Sequence, residues 1–181
     1  GPYDSGSNPV WITPVGDGRV FFAADDGLHG RELWVTDGTE AGTHLVRDIN
    51  PDIYATGPMP TLGGGTSAQF TVLDGKVLFL ASDGVHGNEL WVSDGTKAGT
   101  LALADVDPGI DDNPIFADRD GDTIYFTNGA GALWKTDGTR KGTVQAASSD
   151  VSVGSKLAHI PHVERLFGDG NANVIQGTAS G

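Results

Sequence analysis

The chain has 181 residues without cysteine, and its 24 acidic side chains outnumber 11 basic ones, for a net charge of −13. This charge disfavours nucleic-acid binding through a basic surface and adhesion to anionic lipid. Divalent cations are natural partners of such a charge, and the alternative is that it serves solubility alone. Disulfides and cysteine-ligated zinc are excluded, and no apolar run approaches the ~20 residues of a membrane span, so no membrane insertion is expected.

The 28 glycines, together with the lack of any long helical pattern, predict an all-β fold dense in turns. Glycine- and aspartate-rich turns divide the first repeat unit, at about residues 10–52, into four short apolar runs. The predicted strands are residues 10–15, 19–24, 32–36 and 43–49. Four short antiparallel strands in about 45 residues are typical of one blade of a β-propeller.

The same arrangement returns in a second unit at about 68–109 and a third at about 115–148. Their predicted strands are residues 68–73, 76–82, 89–93 and 100–106, then 115–119, 123–127, 133–136 and 143–147. Between the first two units, residues 53–66 carry two prolines and a run of three glycines but no strand pattern. This segment is predicted to be a loop between units, where a binding surface or a tolerated insertion is expected.

One twelve-residue pattern occurs three times, at residues 32–43, 89–100 and, more diverged, 132–143. Neighbouring strand residues point to opposite faces, so Leu33 and Val35 face one way and Trp34 the other. Both faces are therefore apolar, and the strand is expected to be buried on both sides. The Asp-Gly-Thr that follows predicts a turn in which Gly38 and Gly42 supply backbone angles that other residues resist.

The repeated Glu-Leu-Trp-x-x-Asp-Gly-Thr-x-x-Gly-Thr, preceded by Asp-Gly-x-His-Gly, resembles the ELWxxDGTxxGT repeat of large secreted bacterial proteins. The similarity covers roughly residues 16–150. Residues 168–181 are similar to the lead-in to a calcium-binding RTX β-roll. The resemblance implies a propeller-like region, an extracellular or cell-surface location, and calcium-rich surroundings.

The predicted organisation is a single repeat domain at 3–167, with a partial unit at 150–167. Residues 1–2 are typical of the scar left by cleavage of a tag. Propellers typically close with 4–8 blades, so an array of three four-stranded blades leaves apolar outer faces to cover. Three solutions are open: a degenerate fourth sheet from the two termini, self-association of two chains through their open faces, or a small threefold body. The leftover apolar segments at both ends favour the first.

A candidate calcium site is the turn containing Asp118, Asp120 and Asp122, because short Asp-rich loops supply several of the six to eight oxygens that calcium needs. The alternative for this turn is an ordinary acidic β-turn.

Candidate binding residues are His29 with Glu32 and His86 with Glu89, which hold equivalent positions in the first two units. The third unit lacks both residue types there. The alternative is a structural histidine that bonds the loop backbone or packs on a neighbouring tryptophan.

No catalytic residue is predicted, because the chain lacks a nucleophile elbow, a phosphate-binding loop and an HExxH helix. The predicted function is a non-catalytic extracellular binding or adhesion module for a glycan, a protein or a surface. One alternative is a structural spacer or assembly module next to an RTX region. Another is a hydrolase or lyase with its site among the blade loops.

Overall fold

The computed structural model describes residues 6–51, 59–60, 70–106, 115–128 and 132–146, with the backbone alone at 59–60 and 115–118. These residues form thirteen strands in three antiparallel sheets and contain no helix. The prediction of an all-β fold built from short antiparallel strands is confirmed. Each predicted strand has a counterpart within a few residues of its expected ends.

The strands follow one another along the chain and pair mainly with their neighbours. The first sheet contains β1 (Val10–Pro14), β2 (Val20–Asp25), β3 (Arg31–Thr36) and β4 (His44–Arg47). The second sheet contains β5 (Met59–Pro60), β6 (Thr71–Leu73), β7 (Lys76–Ser82), β8 (Asn88–Ser93) and β9 (Leu101–Ala104). The third sheet contains β10 (Ile115–Asp120), β11 (Thr123–Thr127), β12 (Leu133–Thr136) and β13 (Val144–Gln145).

The second sheet is apolar on both faces and packs against a different sheet on each. One face joins the first sheet in a cluster that includes Phe21, Leu33, Val35, Val77, Phe79 and Trp91. The other joins the third sheet in a cluster that includes Leu78, Leu80, Leu90, Val92, Ile124 and Phe126. Residues of β7 and β8 therefore alternate between the two clusters, as strand geometry requires. The prediction that the Leu-Trp-Val strand is buried on both sides is confirmed for β8. For β3 it is wrong on one face, because Trp34 is only half-buried while Leu33 and Val35 are buried.

The first strand of every sheet is interrupted at the same place. The pairing of β1 with β2 shifts between Val10 and Thr13, and that of β10 with β11 shifts between Phe116 and Asp118. In the second sheet β5 and β6 share this strand position, because β5 pairs with the later part of β7 and β6 with its earlier part. In sequence, the break between β5 and β6 thus falls where the other two sheets carry a bulge.

The prediction of a loop throughout 53–66 is therefore wrong at two residues, because Met59 pairs with Leu80 and Pro60 with Phe79. These two residues belong to the edge of the second sheet and not to a connection between two units. Proline is compatible with this position because an edge strand leaves one side of the backbone unpaired.

The three Asp-Gly-Thr turns share one hydrogen-bond pattern, seen in the second sheet at residues 94–100. The Oδ1 atom of Asp94 accepts bonds from the backbone N–H of Thr96 at 2.8 Å and from its hydroxyl at 2.7 Å. The Thr96 hydroxyl oxygen accepts from the N–H of Gly99 at 2.9 Å. Gly95 has φ +88°, the left-handed conformation that favours glycine. The pattern uses Asp, Thr and both glycines, which explains why the motif repeats as a unit.

The second glycine of each turn is needed for space, because a Cβ at Gly42, Gly99 or Gly142 would overlap the aspartate carboxylate of its own turn. The prediction of special backbone angles is right for Gly38, at φ +89°, and wrong for Gly42, whose φ is not positive.

We expect Gly99→Ala to destabilise the fold by about 1–3 kcal/mol, since the methyl group would displace Asp94 from its hydrogen bonds. Urea denaturation followed by circular dichroism measures the loss. The exposed Lys97→Ala in the same turn is the control, with an expected change within about 0.5 kcal/mol. Equal stability of the two variants would contradict the steric explanation.

Candidate functional site

Two loops with the same conformation lie between the second and third strands of the first two sheets. In the first, the Oδ1 atom of Asp26 accepts hydrogen bonds from the N–H groups of Leu28 and His29, both at 2.9 Å. The other carboxylate oxygen lies 2.7 Å from Nδ1 of His29. The second loop reproduces these contacts at the same distances with Asp83, Val85 and His86. We call these two segments, residues 26–30 and 83–87, the Asp–His loops.

The histidine partner in each loop is an aspartate three residues earlier. The structural alternative considered from the sequence was a different partner for the histidine, either a backbone group of the loop or a neighbouring tryptophan. Asp26 thus does two things, since it closes the turn through backbone N–H groups and orients the imidazole. The ring remains accessible, with 39% of the His29 side chain and 59% of the His86 side chain exposed.

The Asp–His contact shifts the pKa of both partners. The hydrogen bond that His29 donates to the Asp26 carboxylate raises the pKa of His29 above its ordinary value, and desolvation opposes this only in part. Desolvation acts to raise the pKa of Asp26, but the hydrogen bonds from His29 and from backbone N–H groups outweigh it and lower the pKa. The shifts have the same directions at His86 and Asp83. Both imidazoles are therefore more readily protonated than a free histidine.

An aliphatic side chain stands at the tip of each Asp–His loop, directly before the histidine. Leu28 is 73% exposed and Val85 is 79% exposed, the highest values among the large apolar side chains that the structure describes. Neither residue was among the candidates predicted from the sequence. The available signal was the recurrence of an apolar residue at the same position of Asp-Gly-x-His-Gly in both loops.

The third sheet closes the corresponding turn differently. There the Oδ1 atom of Asn128 accepts a hydrogen bond from the N–H of Ala132 at 2.7 Å. Residues 129–131 lie outside the described part of the chain. The sequence at 128–132 contains neither histidine nor carboxylate, so the Asp–His arrangement belongs to the first two sheets alone.

Glu32 and Glu89 lie beneath the loops. Glu32 is 1% exposed, and its Oε1 atom accepts a hydrogen bond from the N–H of Asn50 at 2.9 Å. Glu89 is 6% exposed and accepts one from the N–H of Val106 at 3.4 Å. Each carboxyl group thus anchors the segment that leaves the fourth strand of its sheet. Such burial removes both side chains from direct contact with an external ligand.

Burial also raises the pKa of Glu32 and of Glu89 to about 7, although the hydrogen bonds from the anchored segments act in the opposite direction. The Oε2 atom of Glu32 is buried without a hydrogen-bond partner in the described structure. A neutral carboxylic acid tolerates such surroundings better than an anion does. Both carboxyl groups therefore stay protonated to a much higher pH than an exposed glutamate does and ionise only around neutral pH.

The candidate calcium ligands lie at the end of β10 and in the turn after it. Asp120 and Asp122 are exposed, and an oxygen of Asp122 lies 3.7 Å from the Arg119 guanidinium group. The side chain of Asp118 lies outside the described part. Within the described ranges, no three His, Cys, Asp or Glu side chains come together in a way that could hold a metal ion. Calcium at this turn stays a prediction.

Comparison with known proteins assigns no family to the chain. No protein-family model matches it, and neither does any curated protein. In the part that the structure describes, no helix has the length and apolar character needed to cross a membrane. The resemblance to the ELWxxDGTxxGT repeat therefore rests on the motif copies themselves.

Proposed function

We propose that the chain is a non-catalytic extracellular binding module in which the two Asp–His loops contact the ligand. The observation that carries this proposal is the identical construction of the two loops, each with an exposed aliphatic tip beside an exposed imidazole. Two copies of one contact surface on neighbouring sheets would engage a ligand at two points, which strengthens binding without a larger single site.

The chemistry of the loop tips favours a protein ligand. Leu28 and Val85 offer apolar contact, and His29 and His86 offer a hydrogen-bond donor that is readily protonated. Apolar contacts surrounded by polar groups are typical of protein–protein interfaces. A hydrophilic glycan would gain little binding free energy from contact with the two aliphatic side chains.

We further propose that the three sheets are consecutive blades of a propeller-like array. Support comes from the second sheet, which is packed between the first and the third through equivalent residues. Phe79 and Trp91 belong to the cluster with the first sheet, while Phe126 and Trp134 contact the second. Arginine side chains add contacts between sheets, such as the 2.7 Å hydrogen bond from Arg47 to the carbonyl oxygen of Thr100. The terminal segments expected to close the array, including 150–167, lie outside the described residues.

A binding test follows from the loop geometry. Wild-type chain and the double variant Leu28→Ser/Val85→Ser are applied to an array of extracellular proteins and to a glycan array. We expect the wild type to bind a protein on the first array, and the double variant to bind it at least about tenfold more weakly. Val144→Ser, at a 40% exposed position of the third sheet, is the matched control and should bind like the wild type.

Two results would contradict the proposal. Binding that the double variant retains in full would place the contact elsewhere on the chain. Silence of the wild type on both arrays would favour the structural spacer. Because both substitutions lie at exposed positions, we expect the variants to unfold at the same temperature as the wild type. Unchanged unfolding temperatures would show that any loss of binding arises from the altered surface and not from unfolding.

A further inference from the structure

The segment that leaves the first sheet contacts the next sheet as well as its own. Residues 48–50 follow β4, and the N–H of Asn50 donates a hydrogen bond to Oε1 of Glu32 at 2.9 Å. Ile49, in the same segment, is buried in the apolar cluster between the first two sheets. The Asn50 side chain approaches Gly84 so closely that a Cβ there would lie 3.2 Å from its Oδ1 atom. This segment therefore connects a buried carboxyl group of the first sheet to the second Asp–His loop.

The segment that leaves the second sheet repeats this arrangement one sheet further on. The N–H of Val106 donates to Oε2 of Glu89 at 3.4 Å, and the Val106 side chain is buried in the cluster between the second and third sheets. The carbonyl oxygen of Val106 accepts a hydrogen bond from Nδ2 of Asn128 at 3.2 Å. Asn128 directly follows β11, in the turn between the second and third strands of the third sheet. We call residues 48–50 and 105–106 the exit segments.

Ionisation of the buried glutamate conflicts with this closed arrangement. The Oε2 atom of Glu32 is buried without a hydrogen-bond partner in the described structure, whereas an anionic oxygen there needs a donor. Water can supply that donor once the cover of the carboxyl group moves. The exit segment lies beyond the end of β4, so its displacement admits water while the pairing of the strands is kept.

Burial is the main obstacle to ionisation, and it raises the pKa of both glutamates to about 7. Acidic neighbours act in the same direction, namely Asp48 at Glu32, and Asp83 and Asp105 at Glu89. When protonated, the histidines of the Asp–His loops oppose them, His29 at Glu32 and His86 at Glu89. The closed arrangement is therefore favoured below about pH 7 and weakened above it.

We propose that Glu32 and Glu89 are proton-controlled latches, each of which holds the exit segment of its own sheet against the turn between the second and third strands of the following sheet. The protonated carboxyl group keeps the latch closed, and ionisation releases the segment. Release at Glu32 loosens the second Asp–His loop, and release at Glu89 loosens the turn at Asn128. The latches are independent of the proposed binding function, because they consist of contacts within the chain.

The turn of the third sheet offers a clean readout, since residues 128–132 contain no titratable side chain. NMR spectra of the full chain over a pH series follow the side-chain amide of Asn128, and hydrogen exchange follows the backbone N–H of Val106. We expect the Asn128 signals to change with a midpoint near pH 7. Exchange at Val106, corrected for the intrinsic effect of pH, should increase about tenfold between roughly pH 6 and roughly pH 8, because ionisation favours the open state.

Reciprocal glutamine variants are matched controls for each other. Glu89→Gln should abolish the pH dependence at Asn128 and Val106 and leave the corresponding increase in exchange at the N–H of Asn50. Glu32→Gln should abolish the increase at Asn50 and leave the third sheet unchanged. A transition at Asn128 that persists in folded Glu89→Gln would overturn the proposal, as would its absence from the wild type or its loss in Glu32→Gln.

A further variant decides if Glu89→Gln fails to fold. His86→Gln removes the neighbouring side chain whose raised pKa places its titration in the same range. The transition at Asn128 must persist in this variant, and its loss would overturn the proposal by assigning the signal to the histidine. A purely structural role of Glu89 would leave the signals of Asn128 and Val106 independent of pH.

Discussion

Trp91→Ala is expected to destabilise the fold by about 3–5 kcal/mol, the loss typical of removing a large aromatic side chain from a core. Trp91 is 5% exposed between the first two sheets. Its Nε1 atom donates a hydrogen bond to the carbonyl oxygen of Ala81 at 3.0 Å, and the Arg47 guanidinium lies 5.6 Å from the ring centroid. The substitution therefore opens a cavity and removes the partners of two polar groups.

The matched control is Trp34→Ala, which changes the same motif position in the first sheet. Because Trp34 is half-buried and outside both apolar clusters, its removal should cost about 2 kcal/mol or less. Urea denaturation followed by far-ultraviolet circular dichroism, at low protein concentration to limit self-association, compares the two. Equal losses would show that packing between the first and second sheets does not hold the repeat together.

The second large effect is a fall in stability as pH rises from about 4.5 to about 7. Burial raises the pKa of Glu32 and Glu89 to about 7 in the folded chain, from an ordinary value of 4.5. The folded state therefore binds protons that the unfolded state has already lost, and stability is highest below this range. For Glu32 alone the difference amounts to roughly 3 kcal/mol between the two ends.

The other ionisable groups with shifted pKa values do not mask the fall in stability between about pH 4.5 and pH 7. The aspartates of the turns, such as Asp94 and Asp137, have a lowered pKa, so their contribution is lost only as pH falls below 3.8. The raised pKa of His29 and His86 gives stability that is present below 6.5 and lost above it, which adds to the fall at the upper end.

Glutamine variants isolate the effect of the buried carboxyl groups. Glu32→Gln keeps an oxygen that can accept the hydrogen bond from Asn50 and removes the titration. Urea denaturation at a series of pH values should show a much flatter profile for Glu32→Gln/Glu89→Gln than for the wild type. An unchanged slope in the double variant would assign the pH dependence to other groups.

The strands were predictable because turn motifs recur between short apolar runs, and a repeat supplies the same signal three times. Met59 and Pro60 were missed because their strand depends on a partner, β7, that lies beyond the insertion. A local pattern of prolines and glycines carries no information about that pairing. The observed breaks in β1 and β10 are likewise shifts in the pairing register with the neighbouring strand. The alternation of apolar and polar residues along one strand does not reveal such a shift.

For the candidate site, the location of the histidines in loops was predictable, but the contacts that those loops make were not. The motif placed His29 and His86 in loops, but the ring partner, an aspartate three residues earlier, emerged only from the folded turn. Glutamate is rarely buried, so the burial of Glu32 in the sheet was not predictable from its residue type. Leu28 was overlooked because an isolated apolar residue in a turn is ordinary, and only its exposure makes it a contact candidate.

The interrupted outer strand has a practical consequence. In the second sheet, β5 and β6 pair with different parts of β7, while β7 and β8 keep a continuous ladder. The equivalent bulges, between Val10 and Thr13 and between Phe116 and Asp118, are accordingly natural places to graft foreign peptides onto this scaffold. An affinity epitope engineered at either bulge would be displayed from a sheet edge, with the hydrophobic layers beneath it intact.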